Sequence, residues 1–204
     1  MNKLGDLSCN EFLTELASAA PAPGGGGGAA MAGALAAANL TIGKEKFADR
    51  EPEVKELLEQ AEAERVRLLT LVDEDAAVFN SFMSCYKLPK TTDEEKAART
   101  AAIRAAAKQA ATVPLNIARS SFAVLKLADR LVVSGNPGVI TDAACSGLLA
   151  RAALRCAEYN VRINLGLTKD EAWNAQAAAD LKQLLADAEA LETRLLAVTD
   201  KALQ

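Results

Sequence analysis

The most unusual chemistry-bearing residue is a lone carboxylate in an otherwise apolar helical stripe. Steps of three and four residues connect Leu58, Ala61, Arg65, Leu68, Val72, Asp75, Phe79, Phe82 and Tyr86. From Leu68 onward only Asp75 is polar, so its side chain is expected to face a helical interior. A carboxylate in such a place is costly unless paired or hydrogen-bonded, and its proton affinity is open to tuning. That suits a general base, and it equally suits a structural ion pair. The neighbouring Asp73 and Glu74 fall off the stripe and are expected in solvent. The chain has no histidine. Proton transfer would therefore fall to Asp, Glu, Lys, Tyr or Cys.

Three further groups could serve a ligand. Gly24 to Gly28 form an uninterrupted glycine run ahead of a stretch of small residues. A bare backbone entering a helix offers unshielded N–H groups to an anion or a flat ligand. The same run also suits a plain turn. It lacks both the preceding strand of a dinucleotide fingerprint and the Gly-Lys-Ser/Thr of a nucleotide phosphate loop. Asp142, Ser146, Leu149, Ala153, Cys156, Asn160 and Asn164 recur at helical spacing, with polar groups at both ends. Asn160 and Asn164 lie one turn apart and can contact a ligand or lock helices together. Asn136, in the turn before them, can cap the helix that follows. Lys87 and Lys90 sit at the end of the Asp75 helix. They suit its dipole or an anionic ligand.

The elements that must position these groups read as helices throughout. Ser8 and Glu11 form a capping-box pattern opening a short helix. Residues 29 to 39 read as a helix of small residues continuing towards Phe47. A long helix is expected from Pro52 to Tyr86. Thr92 and Glu95 form a second capping box, with a helix to Ala111. Val113-Pro114 then predicts a break or kink, and another helix covers 115 to 133. Gly135-Asn136-Pro137-Gly138 is a turn. A helix follows from Thr141 to Gly166. Thr168 and Glu171 suggest a third capping box, opening a helix to Ala202. No segment shows sustained strand alternation. The expected fold is all-α: an antiparallel helical bundle of about six or seven helices with long central ones. It is read as one domain over residues 1–204.

Composition narrows the function classes. Half of the 204 residues are hydrophobic, and the formal net charge is −4. Alanine is by far the commonest residue, which suits close helix packing. The acidic balance argues against nucleic acid. No apolar run is long enough to span a bilayer, and no secretory leader is evident. Cys9, Cys85, Cys145 and Cys156 form no Cys-x-x-Cys pair. They are read as reduced core residues of a cytoplasmic protein. Without histidine or a cysteine cluster, no metal is expected.

Taken in order, several blocks of this chain are similar to one known family. They are Pro21-Ala22-Pro23-Gly24-Gly25-Gly26; Asp73-Glu74-Asp75-Ala76-Ala77-Val78-Phe79; Leu88-Pro89-Lys90; Glu95-Lys96 with Arg99; and Val113-Pro114-Leu115. Gly135-Asn136, Asp142 and Asn160-Val161-Arg162-Ile163-Asn164-Leu165 complete the set. The chain resembles the formiminotetrahydrofolate cyclodeaminase / methenyltetrahydrofolate cyclohydrolase family over nearly its whole length. Where that family usually has Ser-Val after three glycines, this chain has Gly27-Gly28. Its following helix is shorter by about two turns.

The resemblance implies an all-helical homodimer that acts on a tetrahydrofolate substrate, with or without a polyglutamate tail, and needs no cofactor. It implies that Gly24, Gly25 and Gly26 line the folate site and that Asp75 is the catalytic carboxylate. It also implies an electrostatic role for Lys90, and hydrogen bonds from Asn136, Asp142, Asn160 and Asn164. The favoured activity is methenyltetrahydrofolate cyclohydrolase. The first alternative is formiminotetrahydrofolate cyclodeaminase, supplied by a separate formiminotransferase. The second is a non-catalytic folate-binding or assembly module.

Overall fold

A computed structural model describes Glu11 and residues 45–204. Among the described residues the chain is helical, with no strand. A short 3₁₀ turn, Glu45–Phe47, leads to α1 (Glu51–Cys85). Then come α2 (Asp93–Ser134), a 3₁₀ turn at Pro137–Val139, α3 (Ile140–Thr168) and α4 (Glu171–Ala202). Four α-helices thus stand where the sequence predicts five over the same residues. The expected count of six or seven is not supported. Apart from Glu11, the segments around 8–16 and 29–44 lie outside the described residues.

The count falls because Val113-Pro114 does not break the chain. α2 runs for 42 residues with Pro114 inside it. Proline cannot donate to the carbonyl four residues back, which leaves Ala110 O without its helical partner. Asn164, on α3, donates Nδ2 to that oxygen at 3.0 Å. A side chain from another helix thus satisfies the carbonyl the proline frees.

The termini follow local chemistry. At the start of α2, Thr92 Oγ1 accepts from Glu95 N at 3.2 Å, and Glu95 Oε2 accepts from Thr92 N at 3.1 Å. This is the predicted capping box. The predicted box at Thr168 is not formed. Thr168 ends α3, Lys169 takes a left-handed φ of 56°, and Asp170 becomes the cap, accepting from Trp173 N at 3.1 Å. Aspartate is the stronger cap residue, and it stands directly before the new helix.

α2 is the hub and touches all three other helices. Arg130 reaches Glu53 at 3.0 Å and Arg99 reaches Tyr86 O at 3.3 Å, so α1 and α2 run antiparallel. α3 also runs antiparallel to α2, as the Asn164–Ala110 bond requires. α4 is parallel to α2. It is tied there by Asp170 to Lys108 at 2.8 Å, Asp180 to Arg119 at 2.9 Å, and Arg194 to Asp129. Alanines let these axes approach: Ala107, Ala111, Ala118, Ala128, Ala150, Ala153 and Ala157 are at most 1% exposed. At Gly147 the approach is closest. A Cβ there would lie 2.5 Å from Leu195 Cδ1 and 3.4 Å from Ala128 Cβ. No described helix is long and apolar enough to cross a membrane.

Candidate active site

Asp75 lies in the C-terminal half of α1 and is half-buried. One turn earlier Val72 is 1% exposed, and two turns later Phe82 is 9% exposed. Phe79 and Tyr86, on the same predicted stripe, are 38% and 42% exposed. The carboxylate therefore sits at the rim of the α1–α2 seam rather than deep inside. The reason is that α1 has one main packing neighbour among the described helices, α2. Its buried strip is correspondingly narrow. Asp73 is also half-buried, whereas Glu74 is exposed as expected.

The hairpin register fixes the level of Asp75. Glu53 faces Arg130, Tyr86 faces Arg99, and Ala63 and Ala123 share one groove. Interpolation places Asp75 opposite residues 110–112 of α2. That is the level at which Asn164 meets Ala110. Asp75 and Asn164 thus stand at one level along the bundle axis, with Asn160 a turn away, but on α1 and α3, which are not main packing neighbours of each other.

The other candidates lie elsewhere along the axis. Lys90 is exposed in the connection between α1 and α2. Asn136 caps the 3₁₀ turn before α3, its Oδ1 accepting from Gly138 N at 2.9 Å. Asp142 is exposed in the first turn of α3. The last two lie around the far end of α2, about 35 Å from the level of Asp75 at 1.5 Å per residue. Gly24, Gly25 and Gly26 lie outside the described residues.

The two asparagines are partly committed to the scaffold. Asn164 Nδ2 donates to Ala110 O and, at 2.8 Å, to Asn160 O. Asn160 Nδ2 donates to Cys156 O at 3.0 Å. Both N–H groups of Asn164 are therefore spent, and its Oδ1 is the atom left for a ligand donor.

Several charged groups inside the bundle were not singled out from sequence. Asp129, 2% exposed, is gripped through both oxygens by Arg194. Glu158 is flanked on its own helix by Arg155 at 2.5 Å and Arg162 at 3.3 Å. The Arg-x-x-Glu-x-x-x-Arg spacing was a readable signal for the second cluster. The first joins residues 65 apart and leaves no local trace. Near the Asp75 layer, Asp170 is held below its ordinary carboxylate value of 3.8. The main cause is its hydrogen bond from Lys108, followed by that from Trp173 N. Among the described residues no cluster of ligating side chains could hold a metal ion. The expectation that the cysteines are core residues needs correction: Cys145 and Cys156 are exposed and Cys85 half-buried, all three as free thiols, and Cys9 lies outside the described residues. The first two lie on the outward face of α3.

A model of the Formiminotransferase-cyclodeaminase family matches residues 8–183. A methenyltetrahydrofolate cyclohydrolase from Methylorubrum extorquens is 43% identical over 94% of this chain and 95% of its own. The formimidoyltransferase-cyclodeaminase of Rattus norvegicus is 30% identical over 90% of this chain but only 35% of its own length. Among solved structures, formiminotetrahydrofolate cyclodeaminase from Thermotoga maritima superposes with a TM-score of 0.86. It is 27% identical and covers 98% of both chains.

Proposed function

The chain belongs to the formiminotransferase-cyclodeaminase family, and from that premise we propose that it is a methenyltetrahydrofolate cyclohydrolase. The observation that carries this reading is the 43% identity, nearly end to end, with a cyclohydrolase of the same size. It interconverts 5,10-methenyltetrahydrofolate and 10-formyltetrahydrofolate.

The chemistry sets modest demands on the protein. The carbon bridging N5 and N10 is an amidinium and is already electrophilic. Water adds to it and loses a proton, giving a tetrahedral carbon. The bond to N5 then breaks as a proton reaches N5 and the carbinol hydroxyl releases its own proton to solvent, so that a formyl group is left on N10 and one proton is set free overall. One carboxylate can take the first proton and return it to the nitrogen. We assign that role to Asp75, whose half-buried place at the seam combines partial desolvation with access. Asn164 at its level and Asn160 a turn away can orient the pterin through their remaining acceptor atoms. Lys90 is assigned an electrostatic role towards the folate, and Gly24, Gly25 and Gly26 contact with it. No cofactor is required.

A homodimer completes this reading. α3 carries an exposed apolar stripe at heptad-like spacing: Leu149 is 43% exposed, Tyr159 59% and Ile163 71%. A second subunit covering that stripe in antiparallel fashion would bring its own Asn136 and Asp142 towards the Asp75 end. We therefore place those two residues in a site shared between subunits.

A second reading, cyclodeaminase activity supplied by a separate formiminotransferase, is favoured by the structural likeness to the Thermotoga maritima enzyme. There N10 attacks a formimino carbon on N5 and ammonia leaves. Offering methenyl- and formimino-tetrahydrofolate side by side decides between them. Consumption of the methenyl compound supports the first reading. Ammonia release from the formimino compound supports the second. Calorimetric binding without turnover of either would leave a non-catalytic folate-binding module.

A further inference from the structure

Pro114 is fully buried within the bundle and so does not meet a ligand itself. What it changes is the carbonyl one turn back. Lacking an N–H, it leaves Ala110 O without a helical donor, and its ring crowds that oxygen. Asn164 Nδ2, from α3, donates to it at 3.0 Å.

The consequence for the Asn164 amide is its orientation. An asparagine side chain ends in an oxygen and an NH2 of nearly the same shape, and its partners decide which occupies which place. Nδ2 faces two carbonyl oxygens, Ala110 O at 3.0 Å and Asn160 O at 2.8 Å. Turning the amide over would set Oδ1 against both, acceptor against acceptor, so one orientation is held. Asn160 O lies one turn back on the same helix and is a local partner. Ala110 O is the partner outside α3, and it is open to a side chain because residue 114 is proline.

We infer that Pro114 is a positioning residue for the reaction: by freeing the Ala110 carbonyl, it fixes the Asn164 amide so that Oδ1 is kept as an acceptor for a substrate N–H. The inference rests on the cyclohydrolase reading, in which Asn164 orients the pterin. In Pro114→Ala a main-chain N–H returns to Ala110 O. The amide then keeps one local bond and can turn over.

Turnover of methenyltetrahydrofolate by Pro114→Ala, beside urea denaturation of the same protein, tests this. Removing a proline from a helix interior favours the helix, so the denaturation midpoint should equal or exceed that of the wild type. KM should nevertheless rise about tenfold, roughly the worth of one hydrogen bond, with kcat within about twofold. Adding Asn164→Ala to Pro114→Ala should then move KM by less than about twofold, because the amide has already lost its fixed orientation. Ala110 O has its main-chain donor in this double variant, which therefore folds even if Asn164→Ala alone does not. An unchanged KM in Pro114→Ala, a rise that comes with a lowered midpoint, or a further tenfold rise in the double variant overturns the proposal. If the wild-type protein turns over neither methenyl- nor formimino-tetrahydrofolate, the cyclohydrolase reading fails. Calorimetry with 5-formyltetrahydrofolate, which carries the same pterin, then decides the positioning role by itself. A Kd raised about tenfold by Pro114→Ala supports it. An unchanged Kd, or no binding by the wild type, refutes it.

Discussion

Asn164 donates its side-chain amide to the main-chain oxygen of Ala110 at 3.0 Å, the oxygen that Pro114 has no N–H to serve. One bond thus keeps α2 continuous and pins α3 beside it. Asn164→Ala should cost about 1–3 kcal/mol by orphaning a carbonyl inside the bundle. Pro114→Ala restores an N–H to the same oxygen. The Asn164 loss should therefore shrink in the Pro114→Ala background, by about 1 kcal/mol in a double-mutant cycle. Urea denaturation of the four proteins measures it, and strict additivity would refute the pairing.

Gly147 lies where three helices meet, with Leu195 and Ala128 in the space a side chain would take. Gly147→Val should destabilise by about 1–3 kcal/mol through overpacking. A thermal midpoint equal to that of the wild type would show that the helices part without cost.

The Asp170–Lys108 pair gives a signed pH dependence. The folded carboxylate binds its proton more weakly than the unfolded one, because Lys108 and Trp173 N stabilise the charged form. Its contribution is therefore complete above the unfolded value near pH 3.9 and is lost as pH falls below it through the folded pKa. The stability gap between wild type and Asp170→Asn should narrow as pH drops below about 4. A gap constant from pH 6 to pH 3 would refute this.

The exposed stripe on α3 predicts assembly. Ile163, 71% exposed, should lie in the subunit contact. A buried unpaired carboxylate there is expensive. Ile163→Glu should therefore halve the mass seen by light scattering while leaving helix content intact. A monomeric wild type would remove the shared-site assignment of Asn136 and Asp142.

Much of this was legible in the sequence because it is local. Pro52 with flanking glutamates, the Thr92–Glu95 box and the Asn136-Pro137-Gly138 turn each mark a boundary through neighbours a few residues away. The failures were long-range. Val113-Pro114 reads as a break because the donor that repairs it lies fifty residues on. That error also hid the site's geometry. An unbroken 42-residue helix carries Asn136 and Asp142 to the opposite end from Asp75. The Asp75 stripe gave the correct side of α1 but not the depth. Depth depends on how many helices pack there, which periodicity does not encode. Thr168 failed for a smaller reason, since Asp170 outcompetes it as a cap.

The central claim is that the Asp75 carboxylate moves the protons in methenyltetrahydrofolate hydrolysis. Its most direct test is the loss of methenyltetrahydrofolate absorbance under wild type and Asp75→Asn at matched folding by circular dichroism. The account predicts a fall in kcat of about a hundredfold or more, the usual worth of a general base. A variant that turns over within about threefold of the wild type would contradict it.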